Sequence, residues 1–311
     1  MNIQQLEKSD KDSVQLRAQI ISIISEVFGV APTDISNIVV LKKGMTNRSF
    51  QFTCKKKKYI MRIPGEGTNQ LINRRQEAAV YQIINKQNIC DDVIYINSEN
   101  GYKIAEYLEG ARVCDARNED DLRRCMKKLR DFHGLGLVVE HEFDIFKQIE
   151  FYEKLWGGFP SIYEDYEETK EKIFSLRDYI NGHIETRCLT HIDAVPDNFL
   201  FTADGDIRII DWEYAGMQDP HIDIAMFCIY AFYNKRQVDF LIDIYFQNSC
   251  SDETRIKIYC YISACGLLWS NWCEYKRSLG VEFGEYASYQ YKYARDYYKI
   301  VKEELEKKCI Q

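Results

Sequence analysis

The sequence predicts an α+β protein of two lobes, a small N-terminal lobe of strands with a helix and a larger, mainly helical C-terminal lobe. The chain has 311 residues, which exceeds the usual size of one domain and indicates two hydrophobic cores. Short β-like runs dominate about the first hundred residues, whereas helical spacing of apolar residues dominates the rest. This change in the hydrophobic pattern predicts a lobe of residues 1–108 followed by a lobe of residues 109–311.

The N-terminal lobe is expected to open with a helix and to contain five strands. Apolar residues at helical spacing predict a helix over residues 16–28, which Gly29 ends. A second apolar stripe, over residues 72–83, predicts another helix between two groups of strands. The last two strands are joined by a turn of hairpin type. The strands are expected at residues 38–41, 50–54, 59–63, 93–96 and 102–107.

The C-terminal lobe is expected to be helical apart from one β-rich stretch. Residues 118–133 open with acidic and close with basic side chains, the polarity that a helix dipole favours. The β-rich stretch covers residues 188–211. The charged residues 163–172 predict a solvated helix.

Composition excludes several classes of protein. The net charge of −7 argues against a nucleic-acid-binding protein, because phosphate backbones require a basic surface. The eleven cysteines are scattered without a CxxC pair, which predicts neither a zinc site nor disulfides, and reduced thiols indicate the cytosol. No signal peptide or long apolar run is present, so we expect a cytoplasmic protein without membrane insertion. The sequence does not indicate an oligomeric state.

The strongest motif has the form H-x-D-x4-N followed by a strand that ends in aspartate. His191, Asp193 and Asn198 form the triplet, and the apolar residues 207–210 lead to Asp211. Phosphoryl transfer from ATP requires a carboxylate near the attacking hydroxyl and oxygen ligands for magnesium. The motif therefore predicts a catalytic loop that leads through a β-hairpin to a metal-binding aspartate.

Each residue of this motif also has a structural interpretation. Residues 196–198, Pro-Asp-Asn, are typical of a turn, and Asp211 could cap a strand. The order of motif, strand and upstream sheet favours catalysis. For His191, hydrogen bonding that orders the loop is favoured over proton transfer.

Four blocks of the chain carry a family resemblance: residues 41–50, 61–65, 190–200 and 210–216. In these blocks the chain resembles the choline/ethanolamine kinase family, and most closely its bacterial choline kinase branch. The resemblance implies the protein-kinase-like bilobal fold that this family shares with aminoglycoside phosphotransferases, with a small antiparallel β-sheet N-lobe. It also implies ATP and Mg²⁺ as cofactors and a small amino-alcohol as substrate.

The resemblance assigns roles to five residues. It makes Asp193 the general base and Asn198 and Asp211 the magnesium ligands. It makes Arg62 the cation that binds nucleotide phosphate, held by Glu77. Without the family pattern, Arg62 would be interpreted as an exposed strand residue and Glu77 as part of a solvated helix face.

Two further segments are expected to contact the nucleotide. The phosphate loop has one glycine, Gly44, followed by Thr46 and Asn47, and departs from the G-x-G-x-x-G form of protein kinases. Its backbone and hydroxyl donors could still bind phosphate, although the default interpretation of such a segment is a plain hairpin. The adenine is expected at the link between the lobes, on backbone groups from Glu106 to Leu108.

Aromatic residues near the C-terminus are expected to select the alcohol. A quaternary ammonium donates no N–H hydrogen bond, so it is bound by aromatic faces and carboxylates. Trp269 and Trp272 match a tryptophan pair of choline kinases, and Tyr286, Tyr289 and Tyr293 form a second stripe. The alternative for such stripes is core packing.

Glu213 and Tyr214, next to the metal-binding aspartate, also match residues near the substrate in the family. The expected reaction is the phosphorylation of choline. Ethanolamine, thiamine and an aminoglycoside are alternative substrates. A catalytically silent binding module on a kinase scaffold is the alternative outside the enzymes.

Overall fold

The computed structural model describes residues 3–41, 47–65, 67–157 and 160–310. The chain forms two compact units, one of Met1–Ala78 with Asp91–Leu108 and the other of Ala79–Cys90 with Glu109–Gln311. The assignment of functions to lobes 1–108 and 109–311 stays a prediction.

The first unit contains a helix and a five-stranded antiparallel sheet of order β1-β2-β3-β5-β4. The five strands lie close to their predicted positions. Helix α1 begins well before residue 16, where its start was predicted. The prediction missed its first turns because residues 3–15 are mostly polar and show no apolar stripe. Gly29, with φ of 60°, follows the helix as expected. The elements are α1 (Ile3–Phe28), β1 (Ile35–Val40), β2 (Asn47–Cys54), β3 (Lys57–Pro64), β4 (Val93–Ile96) and β5 (Lys103–Glu106).

The core of this unit lies between α1 and one face of the sheet. Ile20 and Ile24 of α1 are buried with Phe52 of β2, Met61 of β3 and Ile104 of β5. Burial of an aliphatic side chain contributes roughly 1.5–3 kcal/mol, so this cluster fixes the helix on the sheet. Strand β3 is the central strand, which gives its residues neighbours on both edges.

Helix α2 (Arg74–Ile84) starts later than predicted. Asn73 accepts hydrogen bonds from the backbone N–H groups of Arg75 and Gln76 at 3.2 and 3.3 Å. A side-chain oxygen in that position caps a helix N-terminus. Ile72 therefore precedes the helix, and its place in the predicted stripe was wrong.

The second unit is mainly helical and contains two small sheets. A three-stranded antiparallel sheet has the order β6-β8-β9, and β7 pairs with β10. The strands are β6 (Arg112–Val113), β7 (Cys188–Thr190), β8 (Phe199–Phe201), β9 (Ile207–Ile209) and β10 (Gly216–Gln218). The helices are α3 (Glu119–Gly134), α4 (Ile145–Trp156), α5 (Tyr166–Phe174), α6 (Arg177–Gly182), α7 (His221–Tyr230), α8 (Lys235–Phe246), α9 (Asp252–Ser278) and α10 (Glu285–Ile310).

Helix α9 is the centre of this unit, packed against α4, α7 and α10. Helix α3 is capped by the side chain of Asn118, close to the predicted start. Helix α5 was predicted to be solvated, but it buries Tyr166, Thr169 and Ile173. These residues are spaced for one helix face, which packs against α9.

Within the described residues, no helix is both long and apolar enough to cross a membrane. No two cysteines of that part of the chain are joined by a disulfide.

Candidate active site

The loop after β7 brings the three residues of the sequence motif together. Asn198 lies at the end of a short turn, Pro196–Asn198, and is buried. Its side-chain nitrogen donates hydrogen bonds to the backbone oxygen of Asp193 at 2.8 Å and to Asp193 Oδ2 at 3.1 Å. The two side chains therefore form one polar group, and none of the described residues donates a hydrogen bond to the amide oxygen of Asn198.

The hairpin β8–β9 returns the chain to this loop. The backbone N–H of Ile210 donates to the backbone oxygen of Asn198 at 2.9 Å. Asp211 follows with φ of 67°, in the left-handed region that residues other than glycine seldom adopt. Such backbone conformations cost free energy and are concentrated at functional sites. Asp211 is thus held at the end of β9, beside the loop of Asp193.

Negative charge is concentrated around Asp193. Burial raises the pKa of Asp193 well above its ordinary value, and the charges of Asp211 and Glu213 raise it further. The hydrogen bond from Asn198 acts in the opposite direction. A cluster of carboxylates that repel one another is typical of a site that receives a cation.

His191 is buried within the loop. Its Nε2 lies 2.9 Å from the backbone oxygen of Ile210, and its ring centroid lies 4.5 Å from that of Trp212. Burial lowers the pKa of His191. Its Nδ1 has no hydrogen-bond partner among the described residues. These contacts favour loop ordering over proton transfer for His191.

Asp223 of α7 is a residue that the sequence interpretation missed. Its carboxylate accepts hydrogen bonds from the backbone N–H groups of His191 at 2.9 Å and Ile192 at 2.7 Å. His133 Nε2 lies 3.0 Å from the same carboxylate. Ile192 has φ of 68°, so the loop is held in an unfavourable backbone conformation. An acid within the apolar run 222–229 was the available signal.

In the first unit, Arg62 and Glu77 form a buried ion pair. Arg62 Nη2 lies 2.5 Å from Glu77 Oε1, and neither side chain is more than 5% exposed. Arg74, which was not singled out from the sequence, contributes a second contact at 3.1 Å to Glu77 Oε2. Two arginines thus share one carboxylate. The contact expected between Arg62 and Glu77 is present, and neither residue is exposed.

Gly101 allows this cluster to form. Its φ is 72°, and an added Cβ would lie 2.5 Å from Cδ of Arg74. Its backbone oxygen accepts a hydrogen bond from Arg62 at 3.2 Å. A side chain at this position would therefore displace Arg74 and disturb the contacts of Glu77.

Other residues expected at the nucleotide lie in or near the same sheet. Asn47 begins β2 and is buried, whereas Gly44 and Thr46 lie outside the described residues. Glu106 ends β5, where its backbone N–H donates to the backbone oxygen of Asp92 at 3.0 Å. Leu108 follows two residues later and is partly buried.

The aromatic residues of α9 form a continuous cluster with Tyr214. The ring of Trp269 lies 5.5 Å from that of Tyr214 and 5.8 Å from that of Trp272, both edge to face. Phe283 extends the cluster, at 4.9 Å from Trp272. The Tyr214 hydroxyl and Trp272 Nε1 are buried and form no hydrogen bond of good geometry within the described part of the chain, although the indole N–H is close enough to Tyr214 to oppose the rise in its pKa that burial causes. Buried polar atoms without partners are unusual in a purely structural core.

Tyr286 and Tyr289 differ in their surroundings. Tyr286 lies 6.5 Å from Phe283, and the charge of Asp193 contributes to the raised pKa of Tyr286, after burial. Tyr289 is exposed and contacts Phe232 at 5.0 Å. Tyr293, the third residue of the stripe, is core, and its hydroxyl donates to the backbone of Tyr233 at 2.8 Å. The structure therefore brings Tyr286 near the cluster but not Tyr289.

Glu213 and Tyr152 connect the aromatic cluster with the carboxylates. Glu213 is buried. Burial raises the pKa of both Tyr214 and Tyr152, and the charge of Glu213 raises each pKa further. Tyr152 of α4 is fully buried and was not predicted at the site. An acid beside aromatic rings is suited to a ligand with a cationic end.

The donor set fits magnesium bound together with phosphates. Among the described residues, no group of three or more His, Cys, Asp or Glu side chains could hold a metal ion. Mg²⁺ in nucleotide enzymes usually has one or two protein carboxylates, and phosphates and water complete its shell. Asp211 and the amide oxygen of Asn198 are hard oxygen donors of this kind.

Comparisons with known proteins point to one family. The sequence model of the choline/ethanolamine kinases matches residues 38–265 of the chain. Protein LicA of Haemophilus influenzae is 28% identical over 257 residues, which cover 78% of this chain and 75% of that protein.

Two solved structures have similar folds. The crystal structure of choline kinase LicA from Streptococcus pneumoniae matches with a TM-score of 0.80 and 27% identity, over 92% of this chain and 99% of that one. A structure of LicA in complex with AMP matches with a TM-score of 0.77 and 28% identity, over 90% of this chain and 98% of that one.

Proposed function

The chain belongs to the choline/ethanolamine kinase family, and from this premise we propose that it transfers the γ-phosphoryl group of Mg-ATP to the hydroxyl of choline. The protein-kinase-like fold and the phosphotransferase class follow from the family. The identity of the alcohol, the donor and the metal are the proposal.

The contact between Asn198 and Asp193 is the observation that carries the proposal. The hydrogen bond of 3.1 Å to Oδ2 orients the carboxylate, and the second oxygen of Asp193 can accept a proton from the alcohol. Phosphoryl transfer requires little covalent chemistry from the protein, so positioning is the main requirement. Asp193 orients the hydroxyl and accepts its proton as the transfer proceeds.

Asp211 and Asn198 would hold the metal. Bound Mg²⁺ neutralises charge on the phosphates, which the carboxylates around Asp193 would otherwise repel. Asp211 has a left-handed backbone, with φ of 67°, shortly after β9. His191 and Asp223 order the loop and do not contact substrate in this proposal.

Arg62 would bind nucleotide phosphate. Its ion pair with Glu77 holds the guanidinium in place, and Arg74 binds the same carboxylate. Fork-shaped guanidinium groups suit phosphate oxygens. The AMP complex of a similar protein supports nucleotide binding. Backbone groups from Glu106 to Leu108 are proposed to contact the adenine, and Gly44, Thr46 and Asn47 the phosphates.

The aromatic cluster supports choline as the alcohol. Trp269, Trp272 and Tyr214 offer aromatic edges and faces, and Glu213 supplies a negative charge near them. Each aromatic face over a cation contributes about 0.5–2 kcal/mol, with the larger values in desolvated sites. Tyr286 is proposed as a further wall.

Alternative alcohols place different demands on this site. The primary ammonium of ethanolamine requires directed acceptors, and a polycationic aminoglycoside requires many acids. Thiamine also carries a fixed positive charge, so aromatic rings discriminate against it less than against the other two alternatives. A silent binding module would retain the fold without turnover, but Asp193, Asn198 and Asp211 are all present.

An assay of ADP release tests the proposal. The purified protein with Mg-ATP is given choline, ethanolamine, thiamine or kanamycin, and kcat/KM is measured for each. We expect choline to have the highest value. A higher value for another alcohol would correct the substrate, and no release above the ATP-only rate would favour the silent module.

A further inference from the structure

The indole nitrogen of Trp269 is bonded to a methionine of α7. Trp269 Nε1 donates a hydrogen bond to Met226 Sδ at 3.1 Å, and the two residues are only 6% and 1% exposed. A thioether sulfur is a weak acceptor, but a buried indole N–H without any acceptor would cost more free energy. The contact with Met226 therefore stabilises one orientation of the Trp269 ring.

Helix α7 also holds the catalytic loop. The carboxylate of Asp223 accepts hydrogen bonds from the backbone N–H groups of His191 and Ile192 in that loop. Met226 follows Asp223 by three residues in α7, and residues at this spacing are neighbours on one helix face. One face of α7 thus contacts both the loop that carries Asp193 and a ring of the aromatic cluster.

Trp269 contacts both other rings that are proposed to surround the substrate. It lies edge to face with Tyr214, at 84°, and with Trp272, at 67°. Trp272 Nε1, in contrast, forms no hydrogen bond of good geometry within the described residues. A change in the orientation of Trp269 would therefore alter the whole cluster, and Met226 is the residue that opposes such a change.

We propose that Met226 is a positioning residue for the alcohol pocket, which keeps the N–H of Trp269 turned away from the substrate's ammonium group. This rests on the proposed function, because it requires a cation beside the aromatic cluster. The face of an aromatic ring is negative and its edge is positive, so a cation is attracted by the face alone. With its N–H bonded to α7, Trp269 does not present that positive edge to the ammonium. Met226 acts through Trp269 and does not touch the reacting atoms.

Two methionine variants separate this contact from a general loss of packing. Met226→Leu removes the acceptor and keeps a side chain of similar volume, a substitution that protein cores usually tolerate. Met217→Leu is the matched control, because Met217 Sδ also accepts an N–H bond, from the backbone of Val139 at 3.4 Å. Each variant removes one sulfur acceptor, but only Met226→Leu releases the indole of Trp269.

A neutral analogue separates the attraction of the rings for a cation from their shape. 3,3-Dimethylbutan-1-ol has the shape of choline, with carbon in place of the charged nitrogen. Dissociation constants for choline and for this alcohol are measured by calorimetry in the wild type and in both variants. Steady-state kinetics give kcat and the KM values for choline and ATP in the same three proteins.

We expect Met226→Leu to bind choline about three- to tenfold more weakly, with a parallel rise in the KM for choline. Binding of the neutral alcohol, kcat and the KM for ATP should stay within about twofold of wild type, because Asp223 still holds the catalytic loop. All of these values should stay within about twofold in Met217→Leu. Unchanged choline binding in Met226→Leu, or an equal loss for both alcohols, would overturn the proposal.

The indole N–H gives a readout that does not depend on a substrate. The chain has four tryptophans, and NMR records the indole N–H signal of each. The signal of Trp269, assigned by its loss in Trp269→Phe, should move in Met226→Leu. The signal of Trp212 should not move, since its N–H donates to the backbone oxygen of Ile209 at 2.7 Å. An unmoved Trp269 signal would also overturn the proposal. Met226→Ile provides a second variant without the acceptor if the leucine variant does not fold.

The two proposals fail in different ways. A wild-type protein that neither binds nor phosphorylates choline contradicts both. A wild-type protein that phosphorylates choline, with no charge-selective effect of Met226→Leu, contradicts the role of Met226 alone.

Discussion

The carboxylate of Asp223, at the start of α7, accepts a hydrogen bond of 2.9 Å from the backbone N–H of His191, in the loop after β7. The next residue, Ile192, donates a second bond to the same carboxylate. The side chain of Asp223 on α7 thus holds the backbone of the loop that carries Asp193. This arrangement stabilises the left-handed conformation of Ile192 and thereby positions the backbone of the next residue, Asp193.

Asp223→Asn should destabilise the protein and lower turnover together. The asparagine amide has one acceptor oxygen where the carboxylate has two. Its NH₂ group would face a backbone N–H, so that two donors would lie against each other. An unsatisfied buried group and a broken buried network cost about 2–4 kcal/mol. Urea unfolding gives the change in free energy, and the assay of ADP release gives kcat.

Asp197→Asn is the matched control, since Asp197 lies in the same loop but is exposed. It should change the free energy of unfolding by less than about 1 kcal/mol. Asp223→Asn with the stability and kcat of this control would show that the contacts of Asp223 do not hold the loop.

Asp211→Asn should weaken the binding of Mg-nucleotide. Asparagine tolerates the left-handed backbone at this position, so the substitution removes the charge with little change of conformation. We expect the dissociation constant of a fluorescent ATP analogue to rise at least about tenfold with Mg²⁺ and to stay unchanged without it. Asp204→Asn, at an exposed position of the β8–β9 turn, is the control. Equal affinity with and without Mg²⁺ in the wild type would contradict the metal assignment.

Trp272→Ala should raise the KM for choline more than the KM for ATP. The variant loses a face for the quaternary ammonium and leaves Trp269 and Phe283 without their neighbour. An increase of about tenfold or more is expected for choline. Tyr289→Ala is the control, because Tyr289 is exposed. If the two variants had the same KM for choline, the cage would lie elsewhere.

His221 should make the protein sensitive to mild acid. Burial lowers the pKa of His221 to about 4. An unfolded histidine titrates near pH ~6.5, so between these values the unfolded chain binds more protons and stability falls as the pH falls. This histidine should account for a loss of about 2–3 kcal/mol between pH ~7 and ~4.5. The matched protein is His221→Gln, whose free energy of unfolding in urea should fall less over this range. If the free energy of unfolding fell equally in the wild type and in His221→Gln, His221 would not be held neutral in the folded protein.

Much of the site could be predicted from spacing along the chain. Asp193, Asn198 and Asp211 are close in sequence, and a loop followed by a hairpin brings them together with few alternatives. The five strands were also predicted near their observed positions, because each is a short alternating run with turn residues at its ends. The predicted family, fold and enzyme class are confirmed.

Contacts made only by the tertiary fold could not be predicted. Asp223 reaches the loop of His191 from α7, and no local pattern indicates which buried acid does so. Arg74 joins Glu77 beside Arg62 because Gly101 lets it approach, which depends on a close backbone contact.

Helical spacing has a similar limit. Tyr286 and Tyr289 share a stripe in the sequence, yet the described structure places only Tyr286 near the aromatic cluster. Periodicity specifies a face of a helix but not what that face contacts. The roles of the individual site residues stay predictions.

Transfer of label from γ-³²P-ATP to choline, compared between the wild type and Asp193→Asn, tests the central claim most directly. The wild type should form labelled phosphocholine. Asp193→Asn should bind nucleotide with wild-type affinity and form product at least about a hundredfold more slowly, since a general base contributes that much or more. Labelled phosphocholine formed at equal rates by both proteins would contradict the claim that Asp193 acts on the hydroxyl.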